Sequence, residues 1–585
     1  MAIQQRHSTS SGDNYTPLSL KTTRKNEDRP WKLRLIYLQC YLISIACILG
    51  TGILGLPGTV AHAGLQPFLV SFITGFFMQV LLIYLFVDLL QRCRLVQVEA
   101  AKHSLVERII MQDVGGQDYL PNSIEEEEET EDAGHVLLHQ NNGIDHSEEE
   151  QMPNLHILGA LFLSKCMSYV FDLLLILQFI SIGISYVLAG SEAFAELLQI
   201  RHVYVIPFFT WILSFGIIMA QVIIQPITSI LTLAKGTLLI ITVIVTFVVG
   251  SEIHQEIFND FSSIGTPFLM GTVALGGIVN VMPMLFSEIS QNRSQIMWFR
   301  RAVTGGLTTC TILNILWCWA VLDIVPQTSM RKVLFDGDLN TTMFTAHQMV
   351  PGYIMTYSNI SLEASEKAGE IATVPLTKII MEQYKRFAWV AWFTEIFITV
   401  SITVSFLVLG SAMKHTLEGW VDSFWSKKCE TAAERCEKSY FQLIKIGGAK
   451  SLTRGLICLL GFGIIFMVAM SNPKGFVIVL DKVTSFALNL EAGLFIFLML
   501  RNSRSEPYKL ITVPLPMSSR MFLLHWLLPV YFLFAVGYDI YQTLAYGWHH
   551  SYSLPENLKD LPFEVNTLNI QIKQHSVKRL LFSKY

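Results

Sequence analysis

The chain has 585 residues, of which 52% are hydrophobic and 15% charged, and its mean hydropathy is +0.45. Soluble domains carry about 25% charged residues, so water is not the solvent for most of this chain. A net charge of −4 excludes a global basic field for nucleic acid, and of the nine scattered cysteines only Cys429 and Cys436 share a polar loop, with no His or further Cys beside them at zinc spacing, which argues against a zinc site there.

Residues 1–34 are rich in Ser, Thr, Lys, Arg and Asn and hold no apolar core segment. They are expected to form a disordered cytosolic tail rather than a cleaved signal peptide. Within it, Tyr15-Thr16-Pro17-Leu18 has the Tyr-x-x-hydrophobic form read by sorting adaptors. Eleven apolar stretches follow, each near the ~20 residues that a bilayer-crossing helix needs. They cover 37–65, 67–91, 157–189, 203–224, 228–250, 267–288, 303–324, 387–413, 453–471, 476–499 and 520–546, and define a membrane domain over 35–546. Arg94 to Met111 is predicted to continue span two as a cytosolic helix. Residues 112–155 then form an acidic insert with Glu125 to Glu129, Glu131, Asp132 and Glu148 to Glu150. It is expected to be disordered, serving as a solvated spacer or as a docking site for a basic cytosolic partner.

Lys and Arg collect in the short loops that share a side with the N-terminus: Arg293, Arg300, Arg301, Lys427, Lys428, Arg435, Arg501, Arg504 and Lys509. That bias predicts a cytosolic N-terminus. The long loop 325–386, with glycosylation acceptors at Asn340 and Asn359, then lies on the luminal or extracellular side, and so does the tail 547–585.

Span one contains Gly50-Thr51-Gly52-Ile53-Leu54-Gly55-Leu56-Pro57, and span six contains Gly271, Gly276, Gly277 and Pro283. Glycine and proline weaken an ordinary helix. In a bilayer, irregular backbone survives only against protein or a cavity. Freed N–H groups suit a carboxylate and freed carbonyls suit a cation. Tight interhelical packing of small residues is the competing explanation. Matching interruptions in the first helix of two five-helix halves favour broken helices that line a solute site.

The run from Gly50 to Leu65, GTGILGLPGTVAHAGL, resembles the first-helix signature of the amino acid/auxin permease family, within the amino acid–polyamine–organocation superfamily. That family groups proton-coupled, sodium-coupled neutral and vacuolar amino acid transporters. Val281-Met282-Pro283-Met284-Leu285-Phe286-Ser287-Glu288 is similar to the family's ending of span six, and Ser401 and Thr403 fall in a span-eight segment that agrees more loosely. The resemblance implies an all-α, five-plus-five inverted-repeat (LeuT-like) fold of about eleven helices with helices one and six broken. It also implies alternating access and no enzymatic activity.

Carried onto this sequence, Gly50, Thr51 and Gly52 would hold a substrate carboxylate, while Ala274, Gly276 and Gly277 would face its amine or side chain. Ser401 and Thr403 would be candidates for a sodium site. The sodium-coupled branch usually carries an Asn just before the glycines. Here Ala46, Cys47 and Ile48 stand there, which turns the expectation toward protons, with sodium as the alternative coupling ion and no other cofactor. The loop 325–386 also lacks the cysteines of relatives.

Ionisable groups at bilayer depth are costly and usually functional. The candidates are Lys165, Asp172, Lys235, Glu395 and Glu491. Lys165 and Asp172 share a face of span three, and Lys235 is placed near the cytosolic end of span five, where it could snorkel. Buried carboxyls can carry a proton, so Glu395 and Glu491 are the ion-coupling candidates. The reading is a multi-pass transporter of amino acids or related small solutes in a plasma, endosomal or lysosomal (vacuolar) membrane. The alternative is a nutrient sensor on the same fold that binds an amino acid with little transport. A membrane enzyme would need a nucleophile beside a histidine, and His525 with Asp539 has none.

Overall fold

The computed structural model describes residues 30–115, 153–334, 353–433, 440–471 and 479–551, less positions 220, 254, 256, 358–359, 369 and 510. Asn340, Asn359, the sorting-type tetrapeptide and most of the acidic insert and C-terminal tail lie outside the described residues. Among the described residues, eleven helices are long and apolar enough to cross a membrane: Trp31–Ala63, Leu65–Ala100, Lys165–Leu198, His202–Met219, Pro226–Ile253, Gly265–Ser287, Arg293–Leu322, Lys385–Trp425, Lys450–Ser471, Lys482–Asn502 and Ser519–Ala545. They are spans one to eleven, and the chain is a multi-pass α-helical membrane protein.

The five-plus-five organisation follows from which helices touch. Span one lies against span seven as span six lies against span two. Span one meets span five as span six meets span ten, and span eight meets span five as span three meets span ten. Span three packs on four as eight packs on nine, and three on nine as eight on four. Exchanging each of the first five spans for its counterpart five later preserves these pairings. Five crossings are an odd number, so the second unit enters from the opposite face and the repeat is inverted.

Burial obeys the same exchange. In spans one and six, 94% and 83% of the most apolar window is buried, against 33% and 22% in spans four and nine. The innermost helices are therefore the two that open each repeat. Spans five and ten differ, at 39% and 72%, because span eleven, outside the repeat, covers span ten.

Span one corrects the expectation of two broken helices. It is helical from Pro30 to Ala63, straight through Gly50, Thr51 and Gly52. Proline at 57 cannot donate to the carbonyl of Ile53, four residues back. The indole Nε1 of Trp317, on span seven, donates to that carbonyl at 3.0 Å, so the helix continues without an orphan. Gly64, at φ +83°, then ends it. This left-handed conformation suits glycine, and a Cβ there would strike the backbone oxygen of Phe258. Gln327 ties the helix end down by donating to Val60, Ala61 and Phe258 carbonyls at 3.1–3.4 Å.

Span six is interrupted as expected, into Gly265–Gly276 and Ile278–Ser287 with Gly277 between. Span three gains a separate lead-in, Leu155–Phe162, whose first turn is capped by Asn154 accepting from the Ile157 amide at 2.8 Å. Span two continues to Gly115, as the sequence predicts. The loop after span seven holds an antiparallel pair, Met330–Leu334 with Tyr353–Tyr357, and the helices Leu362–Ala368 and Thr373–Gln383. Ahead of span six, the half-buried Asp260 accepts from the amide and hydroxyl of Ser262 and the hydroxyl of Ser263. These bonds hold its carboxyl below the usual range.

Candidate functional site

The centre of the domain is a junction of spans one, three, five and eight built around Lys235. This side chain is fully buried rather than snorkelling as its sequence position suggested. Its ammonium donates to the Ser405 hydroxyl at 2.8 Å, the Ala46 carbonyl at 3.2 Å and the Ser401 carbonyl at 3.3 Å. Ser405 itself donates to the Ala46 carbonyl at 3.0 Å. One backbone oxygen of span one thus receives two side chains from other helices, and span one is clasped to spans five and eight by a buried positive charge among neutral oxygens.

Gly50 sits four residues, one helical turn, beyond Ala46. A Cβ at Gly50 would collide with the Ser405 hydroxyl and the Tyr186 hydroxyl of span three. The glycine is therefore required by close approach rather than by a chain break. Gly52 faces span seven, where a Cβ would lie 2.7 Å from Asn314 Oδ1. Both amide atoms of Asn314 are buried with no hydrogen-bond partner. Such a group is an unspent donor and acceptor at the middle of the membrane domain.

The predicted residues of span six divide between two surroundings. The Gly277 carbonyl accepts from the Cys47 thiol at 3.2 Å, so spans one and six touch here. Ala274 is fully buried. Gly276 instead lines a cavity of about 10 Å³, room for one water-sized particle, between spans two, six, ten and eleven. No span-one residue lines that cavity. Asn280, just past the break, accepts from the Gln178 amide of span three at 3.1 Å.

The ion-coupling candidates are dispersed as well. Ser401 contributes its carbonyl to Lys235, while its hydroxyl oxygen has no partner. Thr403 bonds back to the Thr399 carbonyl at 2.8 Å, an ordinary helical hydroxyl. Glu395 lies at the opening of span eight, in the electrostatic reach of Glu196. Glu192 and Glu196 at the end of span three are grouped with Glu370 and Lys378. Glu491 is fully buried on span ten and lines the cavity. Asp172 pairs with His156 of the lead-in helix at 3.0 Å, not with Lys165.

Ser405, Tyr186 and Asn314 were not singled out by the sequence reading. The available signal was spacing: Ser405 lies four residues, one turn, after Ser401, on the same face of span eight.

No protein-family model matches the chain, and no curated protein matches it. Among solved structures it is similar to a manganese transporter of Eremococcus coleocola, crystallised with an aromatic bis-isothiourea substituted compound. The identity is 10% over 94% of each chain, with a TM-score of 0.46. It is also similar to Mhp1, a nucleobase-cation-symport-1 family transporter in a closed conformation with bromovinylhydantoin bound. There the identity is 10% over 88% of this chain and 92% of that one, with a TM-score of 0.47. The inverted repeat is read from the helix neighbours of this chain itself.

Proposed function

We propose that the chain is a secondary active transporter of amino acids or closely related small solutes, working by alternating access and coupled to protons. The observation that supports this most is the Lys235 clasp. Alternating access requires the helices of one bundle to swing against the other around a fixed site. Lys235 joins span one to span eight through the Ala46 and Ser401 carbonyls and the Ser405 hydroxyl. Its charge does the work that a bound metal cation could do between the same oxygens. An ammonium deprived of those acceptors in a dry interior sheds its proton rather than stay charged. Movement of span one can thereby be tied to proton release.

The solute would lie along span one beyond the clasp. Asn314 can donate to a carboxylate through Nδ2 and accept from an ammonium through Oδ1, which suits a zwitterion. Gly52 leaves it the space, and Ala274 and Gly277 would form the span-six side. The resemblance to amino acid permeases points to the same solute class, and the loop charges to a cytosolic N-terminus.

The test is uptake of radiolabelled amino acids into proteoliposomes with equal sodium on both sides and an imposed pH gradient. The expected result is saturable accumulation that a protonophore abolishes. Binding without flux would make the chain a sensor instead, and neither binding nor flux for any amino acid would overturn the proposal. Gly52→Val should abolish uptake with surface expression retained, because its branched side chain must displace the Asn314 amide.

A further inference from the structure

The side chains that line the cavity between spans two, six, ten and eleven include four buried oxygen atoms that have no hydrogen-bond partner: Gln79 Oε1, Asn489 Oδ1 and both carboxylate oxygens of Glu491. All three side chains are at most 2% exposed. Unpartnered buried polar atoms are rare in native proteins and each needs a physical reason.

The orientation of Asn489 is fixed by its neighbours. Its Nδ2 donates to the Ser485 carbonyl at 2.8 Å and to the Thr272 hydroxyl oxygen at 2.9 Å. Thr272 spends its own proton on the Leu269 carbonyl at 2.7 Å, so it can only accept from Asn489. The amide nitrogen must therefore point that way, and Oδ1 is the atom left over. Glu491 opens a π-helical turn, Glu491–Ile496, within span ten. Such turns interrupt α-helices mostly at functional sites. Gln178 of span three lies beside Glu491; its Nε2 donates one hydrogen to Asn280 and has a second available to the carboxylate.

We propose that this cavity is a binding site for one dehydrated sodium ion, held by Glu491, Asn489 and Gln79 between spans ten and two, with Thr272 of span six behind. The donors are all oxygens, which suits a hard cation. One carboxylate balances one charge, and a divalent ion would demand six or more oxygens or a retained water shell. The volume admits a single water-sized particle, so the ion would sit there without its hydration shell. Protonating Glu491 would supply one donor and leave the two amide oxygens unmatched. Leu82, Val279, Leu488, Ile496 and Phe532 supply apolar wall around it.

The experiment uses the purified full chain in detergent at fixed pH and ionic strength, in sodium, potassium or choline chloride. Sodium should raise the thermal unfolding midpoint saturably, by roughly 2–4 °C over choline. Radioactive sodium should bind with one site per chain. Glu491→Gln keeps the shape, removes the charge and should abolish both signals. Gln79→Leu withdraws an oxygen from a different helix and should weaken sodium binding at least about 5-fold, the effect of losing one hydrogen-bond-sized contact. Equal midpoints in the three salts, a sodium response that survives Glu491→Gln, or unchanged affinity in Gln79→Leu would each overturn the proposal. If Glu491→Gln fails to fold, Gln79→Leu decides alone. Neither readout requires solute transport, so this site and the transport reading stand or fall separately.

Discussion

Spans five and ten are counterparts under the five-for-five exchange, and each places one ionisable side chain in the protein interior. Span five brings Lys235 against spans one and eight, where three oxygens satisfy its ammonium. Span ten brings Glu491 toward spans two and six, where its two oxygens and those of Asn489 and Gln79 are left without partners. One repeat carries its cation covalently, and the other presents the anion and leaves the cation to be supplied. The lesson is that an inverted repeat preserves helix packing more faithfully than charge. Packing must be kept for the two halves to fit, whereas the charge that a counterpart helix carries is free to change sign.

The largest expected effect comes from removing the built-in cation. Lys235→Met keeps most of the side chain's volume but leaves the Ala46 and Ser401 carbonyls and the Ser405 hydroxyl without that donor. The Ala46 carbonyl keeps the Ser405 hydroxyl as a donor and both carbonyls stay within continuous helices, so the stability loss should be only about 1–3 kcal/mol. Proton-driven uptake should fall to background. If Lys235→Met still transports with the original response to a pH gradient, the contrast between the two repeats has no bearing on coupling.

A smaller effect tests why glycine occupies position 50. Gly50→Ala places a Cβ against the Ser405 and Tyr186 hydroxyls. Overpacking of this kind costs about 1–3 kcal/mol. Combining it with Tyr186→Phe should recover part of the loss, read as a coupling energy in a double-mutant cycle of thermal or denaturant unfolding. Strict additivity of the two substitutions would mean that the glycine serves something other than this contact. It would then revive a broken-helix account of span one.

The eleven spans were legible because runs of some 20 apolar residues are a strong signal that little else produces. The interruption at Gly277 was legible for a similar reason, with two glycines and a nearby proline concentrated in one helix. The same reasoning failed at Gly50 and Gly52. Composition alone does not distinguish a glycine that opens the chain from one that admits a neighbour. Here the neighbours are Ser405, Tyr186 and Asn314, on spans three, seven and eight. Nor could the sequence foresee that Trp317 would supply the donor that Pro57 lacks. Lys235 was misplaced because a hydropathy profile gives depth along a helix and not whether a residue faces lipid or protein. Its burial depends on spans one and eight, which are distant in the chain. Glu491 was noticed as a charge, but Gln79 and Asn489 were not. An amide in an apolar helix gives no sign of its partners until the helices are assembled.

The smallest effect on transport is the most discriminating for the clasp. Ser405 both receives Lys235 and donates to Ala46, so it stiffens the joint without carrying its charge. Ser405→Ala removes one neutral hydrogen bond, worth about 0.5–1.5 kcal/mol net, and one from the ammonium, worth about 1.5–3 kcal/mol. The ammonium keeps the Ala46 and Ser401 carbonyls, so coupling to protons should persist. Uptake measured across external pH should retain its driving-force dependence while its half-maximal pH moves downward. An ammonium with fewer acceptors is less favoured in its charged form, so a higher proton concentration is needed to fill it. No displacement of the profile in Ser405→Ala, alongside complete loss of uptake in Lys235→Met, would make Lys235 a structural strut rather than the coupling group. A displacement in the predicted sense would place proton binding at the joint between spans one, five and eight, and leave the Glu491 cavity free for a different ion.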